Sequence, residues 1–159
     1  MGKKTGPNPT DRAKTGTKRS LLTDGQGIPL AVATAGANRN DHQLARETLE
    51  SIEAERPQPG PKGAQQHLCL DKGYDYPEVW LLLEEFGFTA HLRRRGEEVQ
   101  KLKRRARAKA RRWVVERTHS WLNRFRGLLI RWSKKANNYL GLLHLALGLI
   151  TYRATGLLG

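Results

Sequence analysis

A chain of 159 residues with a formal net charge of +14 is long enough to bury a core of its own, and its basic excess favours a polyanionic partner, most often DNA or RNA. The single cysteine, Cys69, excludes an internal disulfide framework or a cysteine-built zinc site, which fits a reducing cytosol. The first residues lack the apolar core of a signal peptide, and the most apolar stretch, Leu140 to Ile150, is too short for the roughly twenty residues that span a bilayer.

In chain order, residues 1–17 are rich in Gly, Pro, Thr and Lys and read as a basic, extended or mobile arm. Residues 18–159 read as the folded domain. Ser20 to Thr23 meet Asp24-Gly25-Gln26-Gly27, a hairpin signal, with Leu30 to Ala35 as the return strand. Asn40 or Asp41 can cap a helix whose apolar positions are Leu44, Thr48, Leu49 and Ile52, ending at Arg56-Pro57. Pro57 to Gly63 is a loop. His67 to Leu70 reads as a short buried strand, with Cys69 a small buried residue in it. Pro77 suits the first turn of a helix carrying Val79, Leu82, Leu83 and Phe86, with Asp75 as its N-cap and Gly87 after its end. Phe88 to Leu92 is a further strand. The alternation of strands and helices predicts a mixed α/β sheet with flanking helices.

Residues 93–112 carry eleven Lys and Arg against Glu97 and Glu98, too charged for a core. They read as a helix or loop ordered by nucleic acid. From Arg111 to Arg131 a helical period places Val114, Thr118, Trp121, Phe125 and Leu128 on one face, and Leu140, Leu143, Leu147 and Ile150 continue on a final helix. No internal repeat is visible.

Two carboxylates stand out in this basic background. Asp71 ends the apolar run at residue 70, where the strand termini of α/β proteins carry their sites. It also suits a simple turn before a helix, and spacing alone does not separate the two. Glu116, 45 positions later, shares a helix face with Arg112, Ser120 and Asn123. Its bland reading is an ion pair with Arg112 or Arg117. Taken together, the two suggest a hard cation beside a polyanion, and hence metal-assisted phosphoryl chemistry on nucleic acid. Arg117, Arg124, Arg126 and Arg131 interleave with Trp113, Trp121, Phe125 and Trp132. Arginine binds phosphate and aromatics stack on bases, but Trp121 and Phe125 are better read as core. His42, His67, His91, His119 and His144 show no clustered metal-ligand spacing.

At these residues the chain resembles the insertion-sequence DDE transposases of the insertion sequence five type. Thr5 to Arg12, Gly16 to Arg19 and Asp24 to Leu30 resemble the opening of the family's catalytic domain. Gly36 to Asp41 resembles its loop before the first helix. Leu70 to Asp75 resembles the segment with the second catalytic Asp, and Arg112 to Thr118, Trp121-Leu122 and Arg124 to Arg126 that with the catalytic Glu.

The resemblance implies a ribonuclease H-like fold with C-terminal helices. It implies Mg²⁺ (or Mn²⁺) held by Asp71 and Glu116 as second and third acidic ligands, and attack by water or a DNA 3′-hydroxyl on a phosphodiester at the element's ends. Arg112, Arg117, Arg124, Lys101, Arg104 and Arg105 would contact DNA, both terminal repeats and target. Asn123 stands where the family often has Lys or Arg. The family's first catalytic Asp lies on a strand upstream of Gly6 to Thr10, so that first strand is expected to be missing here and the chain to be inactive alone. The expected partners are then a complementing N-terminal polypeptide or a second copy, in the bacterial cytoplasm at the nucleoid, with no membrane. The competing expectations are a non-catalytic DNA-binding regulator derived from a transposase and a basic ribosome-associated protein.

Overall fold

The computed structural model describes residues 4–57, 65–92 and 113–156. Its first sheet is antiparallel, in the order β1 (Gly6–Pro7), β2 (Thr15–Thr23), β3 (Pro29–Gly36). The hairpin between β2 and β3 closes where Asp and Gly predict it. One carboxylate oxygen of Asp24 accepts from the backbone N–H groups of Gln26 and Ile28, each at 2.8 Å, and Gly27 takes the left-handed φ of 85° that closes the turn. Register runs from Thr17 opposite Gly36 to Thr23 opposite Pro29, with an irregularity between Leu22 and Thr23.

β2 begins at Thr15, five residues before the expected start, because its polar first residues carry no apolar alternation to read. Part of the stretch read as an arm is likewise ordered. β1 pairs with the start of β2, Gly6 opposite Gly16, and the chain between them folds back through an Asn8 N–H to Lys14 carbonyl bond of 2.8 Å.

A 3₁₀ turn (Asp41–Leu44) leads into α1 (Ala45–Glu50). The expected helix to Arg56 stops short, at Ser51, whose hydroxyl donates to the Thr48 carbonyl at 2.9 Å. A second sheet pairs β4 (Gln66–Leu70) with β5 (Phe88–Leu92) in parallel, Gln66 opposite Phe88 and Leu70 opposite Leu92. Parallel neighbours need a crossover, and α2 (Pro77–Glu85) supplies it. Tyr76 rather than Asp75 is the N-cap of α2; the Asp75 carboxylate instead accepts from the Trp80 indole N–H at 3.2 Å. Gly87 follows the helix at φ 69°.

The single helix expected over 111–131 is two helices in the described residues, α3 (Trp113–Asn123) and α4 (Arg126–Leu129). Phe125 leaves helical geometry between them, at φ −83° and ψ 101°. The break lets Leu122 and Leu128, six residues apart and so on different faces of an unbroken helix, enter one core. α5 (Ala136–Ala154) starts a turn before Leu140 and brings Tyr139 into that core.

β2 divides the interior. Alternate side chains of a strand face opposite ways. Leu21 packs against Val32, Leu122, Leu128, Tyr139 and Leu143, under α3 to α5. Leu22 packs on the other side with Ala45, Leu49, Leu68, Val79 and Leu83, under α1, α2 and the parallel pair. The architecture is thus mixed α/β, with helices on both faces of the hairpin.

Leu122 is fully enclosed at 0% exposure. Leu122→Ala should cost about 2–5 kcal/mol, the range for truncating an enclosed leucine whose site cannot collapse. Urea unfolding of the two chains measures it. A loss below about 1 kcal/mol would show that the α3–α5 contact is loose.

Candidate metal and DNA site

Asp71 follows the last residue of β4 in extended backbone, φ −80° and ψ 160°, and caps the 3₁₀ turn Lys72–Tyr74. Its carboxylate accepts from the Lys72 N–H at 2.8 Å, and the residue is exposed. The turn-forming reading of Asp71 is therefore correct as geometry. It does not exclude a ligand role, because the cap holds the carboxylate at the strand terminus. Tyr74, one turn on, ties this end of β4 to β2. Burial pushes its phenol pKa up, with Asp41 and Asp71 acting the same way, against a hydrogen bond with Ser20.

Glu116 lies in the first turn of α3, exposed, where a carboxylate is favoured by the helix dipole. Among the described residues it makes no ion pair and no side-chain hydrogen bond. The neighbouring cation is turned elsewhere. Arg117 donates to the Gln26 carbonyl, and its guanidinium lies 4.7 Å from the Trp113 ring and 4.9 Å from the Trp121 ring. An ion pair of Glu116 with Arg117 is thus not formed. Arg112, Lys101, Arg104 and Arg105 lie outside the described residues.

The base of α3 is anchored by the hairpin turn. The buried Thr118 hydroxyl donates to the Gly27 carbonyl at 2.7 Å, and a side chain at Gly27 would meet Thr118 and Arg117 at 3.1 and 2.9 Å. These contacts bridge 91 positions and leave no local mark in the sequence. Asn123, at the family's Lys/Arg position, accepts from Arg19 on β2 at 2.8 Å. Arg124 is exposed and has no ion pair or side-chain hydrogen bond among the described residues. Trp121 and Phe125 are half-buried against the core, as expected.

One reading of the parallel pair needs correction. Cys69 is exposed, not buried: Leu68 points inward, so its neighbour points out. His67 and His91, distant in sequence, face each other across β4 and β5 with ring nitrogens 2.8 Å apart. Among the described residues, however, no three His, Cys, Asp or Glu side chains come together as a metal-binding group. Asp71 and Glu116 supply hard carboxylate oxygens, the donors Mg²⁺ prefers. Each therefore has the donor chemistry such an ion takes.

His119 reports on the packing of α3. Burial lowers its pKa, and the charge of Arg19 adds to the effect. The unfolded chain therefore takes up a proton that the folded chain resists, so stability falls as pH drops below about 6.5. Urea unfolding at pH 7 and pH 5.5 should show the loss, and His119→Gln should flatten it. An unchanged slope in His119→Gln would assign the effect to other groups.

No helix among the described residues is long and apolar enough to cross a membrane. The chain belongs to the transposase DDE domain family, which it matches over residues 2–150. It is similar to a putative transposase for insertion sequence element IS402 from Burkholderia cepacia, with 39% identity over 154 residues covering 94% of this chain and 69% of that protein. No solved structure matches it.

Proposed function

We propose that the chain acts within a DDE-type transposase, in metal-dependent phosphodiester cleavage and strand transfer at insertion-sequence ends. The observation that carries this reading is Glu116: an exposed carboxylate without a described ion-pair partner, beside an arginine turned away from it, in a family whose chemistry needs acidic ligands. Asp71 and Glu116 hold Mg²⁺ or Mn²⁺ in this proposal, as second and third ligands of a ribonuclease H-like site. The bound ion supplies activation of the attacking oxygen and stabilisation of the leaving one.

The chain's own residues set the frame for that chemistry. The Asp71 cap fixes one carboxylate at the end of β4. The Thr118 and Arg117 contacts with the hairpin turn fix the helix that carries the other. Arg112, Arg124, Lys101, Arg104 and Arg105 bind phosphates of the terminal repeats and of target DNA. The remaining acidic ligand comes from a complementing polypeptide, so the 159-residue chain does not cleave DNA alone.

The test incubates insertion-sequence end DNA with Mg²⁺ or Mn²⁺ and this chain, alone and mixed with a polypeptide carrying the family's preceding segment. New 3′-hydroxyl ends in the mixture alone are expected. DNA binding without cleavage in either sample would replace this reading with that of a non-catalytic regulator, which the net charge of +14 also favours.

A further inference from the structure

A cavity of about 520 Å³ opens between the end of α3 and the last turn of α5, away from Asp71 and from the first turn of α3. Among the described residues it is lined by Trp121, Arg124, Phe125, Ile150, Arg153 and Ala154. The volume falls within the roughly 300–1,000 Å³ of small-ligand sites. Ile150 is buried, the two aromatic rings are half-buried, and both arginines are exposed. Neither arginine makes an ion pair or a side-chain hydrogen bond among the described residues. The carbonyls of the last turn of α5, by contrast, are occupied: Thr155 N–H reaches those of Thr151 and Tyr152, and Gly156 N–H that of Arg153.

We propose that this cavity receives a single unpaired base of a DNA strand, stacked on Phe125 and Trp121, with its flanking phosphates on Arg124 and Arg153. The proposal rests on the DNA-processing reading above and adds a subsite to it. Charge complementarity selects the occupant. An apolar helix or a second copy's apolar face would bury two uncompensated guanidinium groups, at a heavy desolvation cost. A paired duplex offers phosphates but keeps its base faces stacked inside. A base out of the stack brings a flat apolar face and an anion on one unit, and both kinds of lining are then used. Arg117, over the Trp121 ring one helical turn earlier, braces that indole in place.

The test measures the affinity of the full chain for two duplexes of equal length, one fully paired and one with a single bulged 2-aminopurine. The bulged duplex should bind about tenfold tighter, the equivalent of one stacked base, and its fluorescence should drop on binding. Phe125→Leu keeps an apolar side chain but removes the flat ring, and should abolish both the preference and the fluorescence change while binding to the paired duplex persists. Should Phe125→Leu not fold, as circular dichroism would show, the exposed pair Arg124→Gln with Arg153→Gln carries the test and should cut the preference severalfold.

Equal affinity for the two duplexes, with salt-sensitive binding intact, would overturn the subsite and leave the transposase reading standing. Weakening of both duplexes by the variants with the preference for the bulge unchanged would confine the arginines to general phosphate contacts and also overturn it. Dissociation of an oligomer by Phe125→Leu, with the preference retained, would make the cavity a subunit contact. No DNA binding of any kind would overturn both readings.

Discussion

Asp71→Asn or Glu116→Gln should lower metal-dependent strand cleavage by the complemented assembly by a factor on the order of 10³, without weakening its hold on DNA. Metal ions contribute several kcal/mol of transition-state charge stabilisation, and each 1.36 kcal/mol is tenfold in rate. Removing one carboxylate from a shared site forfeits much of that. Both residues are exposed, so neither substitution empties a core position. Loss of a negative charge beside phosphates should, if anything, tighten DNA binding. Asp71→Asn keeps a carbonyl oxygen that can still accept from Lys72 N–H, so the 3₁₀ turn should persist. Glu116→Gln keeps the length of the side chain and a good helix former. Cleavage that survived either change would remove that residue from the proposed site. Cleavage lost in step with DNA binding would reduce its role to positioning the duplex.

The second large effect is on salt dependence. If six or more phosphates are contacted, affinity should fall about 10³-fold or more between 50 and 200 mM salt. The net charge of +14 is concentrated in residues 93–112 and in the C-terminal third, where seven Lys and Arg after residue 112 face only Glu116. Arg124→Gln should flatten the logarithmic salt slope by about one unit, because an exposed arginine with no ion pair or side-chain hydrogen bond among the described residues gives up one phosphate contact. Gel-shift titrations at several salt concentrations measure both. Affinity indifferent to salt would rule out a backbone-led DNA interface.

What the sequence made legible was local. Asp24 and Gly27 announce a turn because the chemistry that closes it lies within five residues. Pro77 and the Val79, Leu82, Leu83 stripe announce α2 for the same reason. Asp71 could be marked as the end of a strand, and Glu116 as the exposed face of a helix, from periodicity alone. The missed features are those decided by distant partners. The break after Asn123 exists because Leu122 and Leu128 serve one core with α5. Arg117 is drawn from Glu116 by a carbonyl 91 positions away. Cys69 looked buried because a run of apolar letters hides which face of a strand each one takes, and only the pairing with β5 reveals it. The family of the chain was legible in its ordered motifs, and the match over residues 2–150 bears that out.

The strand β2 has a consequence for the two carboxylates. Glu116 belongs to the layer packed on the Leu21 side, and Asp71 to the layer packed on the Leu22 side. Tyr74 reaches the strand at Ser20, and α3 reaches it through Arg19. The spacing between the carboxylates is therefore a sum of two separate fits to one strand. A slip in either layer displaces one oxygen donor while leaving the other where it was. Tolerance in the proposed site is set less by the acids themselves than by Arg19 and Ser20, adjacent residues that look in opposite directions.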